Sequence, residues 1–398
     1  MKEIYLDNAA TTKVREEVVQ EMNRYFDVVY GNPGSFHGKG LEAKDSLDEA
    51  RERVSKILNC LSKEIIFTAG GTESINLALK GLAKAMKGRK NHIITSQVEH
   101  HAVLHTCEYL EKYEDCEVTY LEVDKYGMVN PENVKNAIKE NTFLITIMYA
   151  NNEIGTINNI SEIGKIAQEK NIYFHTDACQ AAGYCELDVN KLNVDLMTIN
   201  ASKLYGPKGV GLLYAKRGVE LVPLIHGGGQ ENKMRSGTEN VPGIMGFVKA
   251  LELAQSEKEI EVPRLIKLRD KLIQGIMNNI GKTILNGHPT QRLANNVNIS
   301  ILDIEGEALL LYLNEFGIYC STGSACTSQT LDPSHVVIAT NLPYEAAHGS
   351  LRFTLGKEST EEDVNKVLEV LPDIVDKLRR ISPVNVNVQH IIDARGGN

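Results

Sequence analysis

Lys203 is the first residue in this sequence whose type and position suggest chemistry. It closes the segment Asn200-Ala201-Ser202-Lys203, directly after the apolar run at 196–199. A lysine partly removed from water at the end of a strand can form an imine with an aldehyde cofactor, whereas most lysines only solvate a surface. The competing Lys208 lies in Gly206-Pro207-Lys208-Gly209, which is typical of a turn. The pattern therefore favours Lys203 as the reactive lysine.

Asp177 comes earlier in the chain and directly follows another strand-like run, at 172–176. An aspartate in this position has two readings. It could be a plain cap, or its carboxylate could hold a cationic ring nitrogen of a cofactor and keep that nitrogen protonated. The residue alone does not decide between these readings.

A glycine-rich junction, Thr68-Ala69-Gly70-Gly71-Thr72-Glu73-Ser74, precedes both residues. Its free backbone N–H groups and the positive end of the following helix suit a phosphate, while the plainer alternative is a glycine turn with Thr72 as the helix cap. Ligands of open parallel sheets bind beyond the carboxyl ends of the strands. A phosphate loop, an aspartate and a lysine in this order are what a pyridoxal-phosphate enzyme of the aminotransferase-like fold requires.

The elements that must position these side chains follow a repeating pattern. Strand-length apolar runs at 64–68, 92–95 and 142–148 alternate with helical patterns at 77–86 and 160–170. Such alternation predicts an α/β fold with a mostly parallel, buried sheet. The expected architecture is pyridoxal-phosphate fold type I, with a large sheet domain and a smaller α+β domain.

A domain boundary is predicted near residue 260. A long amphipathic helix is expected to begin near Pro263, and shorter strands such as 296–301 indicate a separate layer. We therefore predict a large cofactor-binding domain at 14–260 and a small domain formed by 1–13 and 261–398. The tail after Pro383 lacks a helical period and is expected to be irregular or ordered by a partner.

Composition excludes several classes of function. The chain has 52 acidic and 43 basic residues, a net charge of -9, and these charges are interspersed, which argues against a nucleic-acid partner. No apolar run approaches the roughly 20 residues that a membrane span needs, and the first residues do not resemble a signal peptide. A cytoplasmic location is therefore expected.

The cysteines give no structural framework. There are seven, an odd number, and none forms a C-x-x-C pair. This spacing argues against a disulfide scaffold or a zinc ribbon, and no metal site is expected. Most of the seven should be buried small hydrophobic residues, so a functional cysteine must be distinguished by its surroundings.

The chain resembles the cysteine desulfurases of iron-sulfur cluster assembly, in the class V aminotransferase family. The similarity extends from Tyr5-Leu6-Asp7-Asn8-Ala9-Ala10-Thr11-Thr12 to Leu351-Arg352-Phe353-Thr354-Leu355-Gly356. Further matching segments lie between these two: Gly31-Asn32-Pro33-Gly34-Ser35-Phe36-His37, Asn151-Asn152-Glu153-Ile154-Gly155, Gly227-Gly228-Gly229-Gln230-Glu231, Arg235-Ser236-Gly237-Thr238 and Ser321-Thr322-Gly323-Ser324-Ala325-Cys326-Thr327-Ser328. So many ordered matches are very improbable by chance.

The resemblance implies a role for each of the candidate residues. Lys203 would form the imine with pyridoxal 5'-phosphate, Asp177 would pair with the pyridine nitrogen, and Gln180 would bond the phenolic oxygen. The phosphate would be held by Gly71, Thr72, Ser202 and neighbouring Asn200, together with Thr238 from the other subunit of a homodimer. His100 would stack on the ring and transfer protons, although a slip to His101 remains open. Asn152 and Arg352 would bind the substrate carboxylate, Arg352 through its two-pronged guanidinium.

Cys326 is the residue that the implied desulfurase activity requires. It lies in a run of small and hydroxylic residues, 321–328, which cannot pack a core and is typical of a mobile, exposed loop. A thiolate there could attack the sulfur of L-cysteine and carry it away as a persulfide, leaving L-alanine. Cys320 follows an apolar run and is expected to be buried.

Two residues depart from the family pattern. Where the family has Ser-Ala-His-Lys or Ser-Gly-His-Lys, this chain has Asn200-Ala201-Ser202-Lys203. Ser202 is a ready phosphate donor, but the lost imidazole could weaken cofactor affinity.

Two alternatives to desulfuration stay open. One is a selenocysteine lyase or another carbon-sulfur lyase on the same cofactor, and the other is an inactive scaffold that keeps the fold. The sulfur acceptor is expected to be a protein, such as an iron-sulfur scaffold or a tRNA-thiolation protein, but the residues do not identify it.

Overall fold

A computed structural model describes residues 2–323, 333–383, Asn385 and Ile391. Cys326 and most of the tail after Pro383 therefore lie outside the described residues. No helix within the described part of the chain combines the length and the apolarity that crossing a membrane requires.

The elements alternate along the chain as the sequence predicts. The strands are β1 Ile4–Tyr5, β2 Ile65–Thr68, β3 His92–Ser96, β4 Glu117–Leu121, β5 Thr142–Thr146, β6 Tyr173–Asp177, β7 Leu196–Asn200, β8 Gly211–Ala215, β9 Thr283–Leu285, β10 Asn296–Ile301, β11 Ile318–Tyr319 and β12 Ser350–Thr354. The helices are α1 Glu16–Asp27, α2 Gly38–Leu58, α3 Gly71–Met86, α4 His101–Tyr113, α5 Pro131–Asn136, α6 Ile160–Glu169, α7 Val189–Leu192, α8 Val241–Asn279, α9 Gly306–Glu315, α10 His335–Ala339, α11 Tyr344–Ala347 and α12 Glu361–Ile381. Short 3-10 turns occur at Ser62–Glu64, Ala201–Lys203 and Glu231–Lys233.

The main sheet has seven strands in the order β2-β8-β7-β6-β5-β3-β4. Strands β4, β3, β5, β6 and β7 pair in parallel, and β8 is antiparallel to both of its neighbours. Every residue of β3 and β5 is buried, and apolar residues form the centre of each strand. The prediction of an α/β fold with a mostly parallel sheet is confirmed.

A smaller sheet, β12-β10-β9, is antiparallel. It shares a second apolar core with α9, α12 and the later part of α8. A separate short pairing joins β1 to β11 in parallel, so the first residues of the chain lie in this part of the molecule. Arg352 lies on β12 and is thereby held at the edge of the small core.

The prediction that a long helix begins near Pro263 is wrong. Helix α8 begins at Val241, and the Asn240 side chain caps it by accepting from the backbone N–H of Gly243. Pro263 is an exposed residue inside the helix, where the carbonyl that loses its bond can reach water. Residues of α8 up to Leu251 belong to the large core and those from Leu265 to the small core. The division near residue 260 stays a prediction.

Candidate active site

Nine of the predicted residues line one cavity of about 230 Å³ at the carboxyl ends of the central strands. They are Gly71, Thr72, His100, Asn152, Asp177, Gln180, Asn200, Lys203 and Arg352. The main sheet contributes eight of them, from the ends of β6 and β7 and from the segments that follow β2, β3, β5, β6 and β7, while Arg352 comes from the small sheet. The cavity therefore lies where open parallel sheets bind ligands.

Lys203 ends the 3-10 turn that directly follows β7. The Asn200 side chain caps this turn by accepting from the backbone N–H of Ser202, at 3.4 Å. The Lys203 ammonium donates to the carbonyl of Ala10. The amine is thus held in the cavity by backbone from the first residues of the chain.

Asp177 is buried at the end of β6. One carboxylate oxygen accepts from the backbone N–H of Cys179 at 2.9 Å, which fixes the orientation of the side chain. A buried carboxylate that lines a cavity favours a cationic partner there. This suits a protonated ring nitrogen.

The start of α3 forms the predicted anion site. Gly70 has a φ of +151°, and helix α3 then runs for 16 residues from Gly71, so its positive end faces the cavity. A Cβ on Gly71 would lie 2.9 Å from the sulfur of Cys179, so a side chain there would not fit. With the lysine and the aspartate, this cradle fits the aldehyde, ring nitrogen and phosphate of pyridoxal phosphate.

His100 is the N-cap of α4, and its Nδ1 accepts from the backbone N–H of Ala102 at 3.0 Å. An accepting Nδ1 carries no proton, which places the proton of a neutral ring on Nε2. Among the described residues, His101 is not one of those that line the cavity. Its ring packs against the rings of His335 and His105, with centroids 4.6 and 5.0 Å away. The geometry therefore favours His100 over its neighbour as the residue at the site.

Gln180 lines the cavity, whereas the remaining candidates are not among its described lining residues. The amide of Gln180 donates to the carbonyl of Ala9 at 2.9 Å. Ser202 is buried but is not among the described residues that line the cavity, and neither is Thr238, which is exposed. Cys326 cannot be placed, because it lies outside the described residues.

The first residues of the chain also contribute to the site, which the sequence patterns did not predict. Ala9 and Ala10 line the cavity, and Cys179 lines it as well. Burial and the neighbouring Asp177 raise the pKa of the Cys179 thiol well above its usual range, so this cysteine is protonated. The run at 5–12 was noted for its resemblance, but two alanines carry no chemical signal of their own.

Glu99, next to His100, is a fully buried carboxyl group between two strand ends. One of its oxygens accepts from the Ser96 hydroxyl at 2.7 Å and from the Met148 backbone N–H at 2.9 Å. Burial raises the pKa of Glu99 from 4.5 to about 8. The folded chain therefore holds this proton more tightly than the unfolded chain does.

We expect Glu99→Gln to stabilise the protein at alkaline pH. Because the folded pKa is raised, the contribution of Glu99 to stability is present below its unfolded pKa and is lost as the pH rises toward 8. Between pH 5 and pH 8 this loss is on the order of 3 kcal/mol, and the variant should not show it because glutamine can accept the same two hydrogen bonds. Denaturant unfolding at both pH values measures the difference, with the exposed Glu108→Gln as control. Equal pH dependence in wild type and Glu99→Gln would contradict the assignment.

The class-V aminotransferase family matches residues 4–367 of the chain. A relative from Methanosarcina thermophila, named cysteine desulfurase IscS, is 56% identical over 383 residues, which cover 96% of this chain and 94% of the relative. A solved NifS-like protein is similar with a TM-score of 0.89 and 40% identity, covering 95% of this chain and 100% of the other. The structure of SspA in complex with cysteine has a TM-score of 0.79 at 36% identity, covering 89% and 99%. The chain therefore belongs to the class-V aminotransferase family and, within it, to the cysteine desulfurases.

Proposed function

We propose that this chain uses pyridoxal phosphate to transfer sulfur from L-cysteine to Cys326, releasing L-alanine. The observation that carries the proposal is that Lys203, Asp177 and the N-terminus of α3 share one cavity with Arg352. A cofactor-bound amino acid needs these four groups: an amine for the aldehyde, a partner for the ring nitrogen, an anion site for the phosphate and a cation for the substrate carboxylate.

The residues around Lys203 would hold the cofactor. Gly71, Thr72, Asn200 and Ser202 would bind its phosphate, Asp177 its ring nitrogen and Gln180 its phenolic oxygen. When bound, pyridoxal phosphate supplies the imine and the electron sink that make the α-proton of L-cysteine acidic. Asp177 supports this by keeping a positive charge on the ring nitrogen, because its buried carboxylate favours the protonated form.

The other cavity residues would orient the substrate and move protons. Arg352 and Asn152 would bind the α-carboxylate of L-cysteine. Lys203, once released from the cofactor, would take the α-proton, and His100 would exchange a proton through Nε2. These roles are supported by the fact that all four residues line the same cavity.

Cys326 would then receive the sulfur. Its thiolate attacks the sulfur of L-cysteine, an S–S bond forms, and the C–S bond breaks with its electron pair left on the carbon. Protonation of that carbon gives L-alanine, so one thiol and one L-cysteine yield one persulfide and one L-alanine. An acceptor thiol later takes the outer sulfur.

The proposal extends to partners. Thr238 is exposed in the single chain, which suits a role in the phosphate site of a second subunit in a homodimer. The acceptor would be an iron-sulfur scaffold or a tRNA-thiolation protein, consistent with the naming of relatives as IscS. A cytoplasmic location is also proposed, because thiols such as those of Cys326 and an acceptor stay reduced in that compartment.

The proposal is tested by turnover of the purified, cofactor-loaded protein with L-cysteine and a reducing thiol. Sulfide and L-alanine should form in equal amounts, and the absorbance of the bound cofactor should change when L-cysteine is added. Pyruvate and ammonia in place of L-alanine would indicate a different carbon-sulfur lyase. A preference for selenocysteine over L-cysteine would indicate a selenocysteine lyase, and a colourless protein without turnover would indicate a scaffold.

A further inference from the structure

Arg352 is a buried cation whose donors are only partly used. Its side chain is 2% exposed. Nη1 donates to the carbonyl of Asn152 at 3.0 Å, and Nη2 donates to a carboxylate oxygen of Asp7 at 2.8 Å. Nε is buried without a hydrogen-bond partner among the described residues. A guanidinium has five N–H groups, so donors remain for a ligand in the cavity.

Asp7 is held in place by backbone pairing and not by its charge alone. The neighbouring Leu6 accepts from the Thr354 N–H at 2.7 Å, and Asn8 donates its amide to the Thr354 carbonyl at 2.8 Å. Ala9 also donates its N–H to the Thr354 hydroxyl, at 2.9 Å. The chain around Asp7 is therefore fixed to the end of β12, the strand that carries Arg352.

These contacts have two consequences for Arg352. A buried cation without a counter-ion is strongly destabilising, so Asp7 stabilises the guanidinium in the cavity wall. In addition, hydrogen bonds at both Nη atoms fix the plane of the guanidinium before any substrate arrives, which reduces the entropy lost when a carboxylate binds.

We propose that Asp7 is the positioning residue that aligns Arg352 for the α-carboxylate of the substrate. The inference rests on the proposed role of Arg352. Asp7 accepts from Nη2 and leaves Nε among the donors that remain for the substrate carboxylate, so one guanidinium can bind both carboxylates. Asp7 does not contact the reacting atoms, so its removal should affect binding and leave the chemical step intact.

The experiment compares two ligands that differ by a carboxylate. L-alanine and ethylamine both bring an amine and a methyl group to the cofactor, but ethylamine has no carboxylate for Arg352. Their dissociation constants are measured from the absorbance change of the bound cofactor in the wild type, Asp7→Ala and Asp7→Asn. Lys2→Ala is the matched control. Lys2 lies in the same N-terminal segment as Asp7, and its replacement breaks a different ion pair, the one with Asp363.

Asp7→Ala should raise the dissociation constant of L-alanine by about tenfold, which is the effect of one lost charge-assisted hydrogen bond. The dissociation constant of ethylamine should stay unchanged. Asp7→Asn keeps an oxygen that can accept from Nη2 but loses the charge, so it should weaken L-alanine binding less than Asp7→Ala does. In turnover, Asp7→Ala should raise KM for L-cysteine at similar kcat. Lys2→Ala should match the wild type in all of these measurements.

Four outcomes would overturn the inference. Equal weakening of L-alanine and ethylamine by Asp7→Ala would show a general structural role, and tighter L-alanine binding would show that repulsion dominates. Arg352→Gln separates the inference from the proposed function. If Arg352→Gln weakens L-alanine selectively but Asp7→Ala does not, only the inference fails; if Arg352→Gln makes no distinction between the ligands, the proposed role of Arg352 fails with it.

Discussion

Lys203→Ala is expected to reduce sulfide release from L-cysteine by about 10³-fold or more, since it removes both the amine that binds the cofactor and the proposed base. Lys203→Arg should be almost as inactive. A guanidinium can still donate to the carbonyl of Ala10, the contact that Lys203 makes in the structure, but it cannot form an imine or release a proton at neutral pH. The measurement is turnover together with the absorbance of the cofactor-loaded protein.

Lys208→Ala is the control for this prediction. Lys208 is exposed and lies in the same segment of chain, between Pro207 and Gly209. Its replacement should leave both the absorbance and the turnover unchanged. Activity that survives in Lys203→Ala and is lost in Lys208→Ala would reverse the assignment of the reactive lysine.

Cys326→Ala is expected to abolish persulfide formation and to lower sulfide release by about 10²-fold or more, because no thiolate is left to attack the sulfur of L-cysteine. Binding of L-alanine to the cofactor-loaded protein should be retained, since the cavity residues are unchanged. The persulfide is measured by mass spectrometry after a single addition of L-cysteine without reductant, and sulfide by turnover with reductant.

Cys320→Ala and Cys179→Ala are the matched controls. Cys320 is partly buried against the small core, where the sequence predicts a buried residue, and desolvation raises the pKa of its thiol. Burial likewise raises the pKa of the Cys179 thiol, which lines the cavity. Both thiols are protonated and poor nucleophiles, so both variants should form the persulfide. Loss of the persulfide in Cys179→Ala, with Cys326→Ala active, would move the sulfur-accepting role into the cavity.

The strands of the main sheet could be predicted because their signal is local. Segments such as β5 and β6 are almost entirely buried, and their apolar residues Phe143-Leu144-Ile145 and Tyr173-Phe174 are visible without knowledge of their neighbours. The same reasoning located the candidate side chains, because ligand-binding residues of such sheets follow the strand ends. Nine of them line one cavity, as the chain order of the motifs suggests.

Elements with weaker local signals were missed. Strand β4 lies at the edge of the sheet and is largely half-buried, so its residues Glu117-Val118-Thr119-Tyr120 do not form an apolar run. The start of α8 was misplaced because Pro263 resembles a first-turn proline, whereas the helix continues through it on an exposed face. In both cases the pattern within a short window was compatible with a different structure.

The amino-acid sequence sufficed for the fold class, the family and the chemical type of most candidate residues, because burial on both faces of a sheet and polar strand ends leave patterns within a few residues. Contacts such as that of Asp7 with Arg352, which are 345 residues apart, depend on the bridge that joins Asp7 to Thr354 of β12 in the folded chain. The same holds for the carbonyls of Ala9 and Ala10, whose position in the cavity comes from packing and not from any property of an alanine side chain. Pairings between distant segments leave no local periodicity, so folding of the whole chain was needed to reveal them.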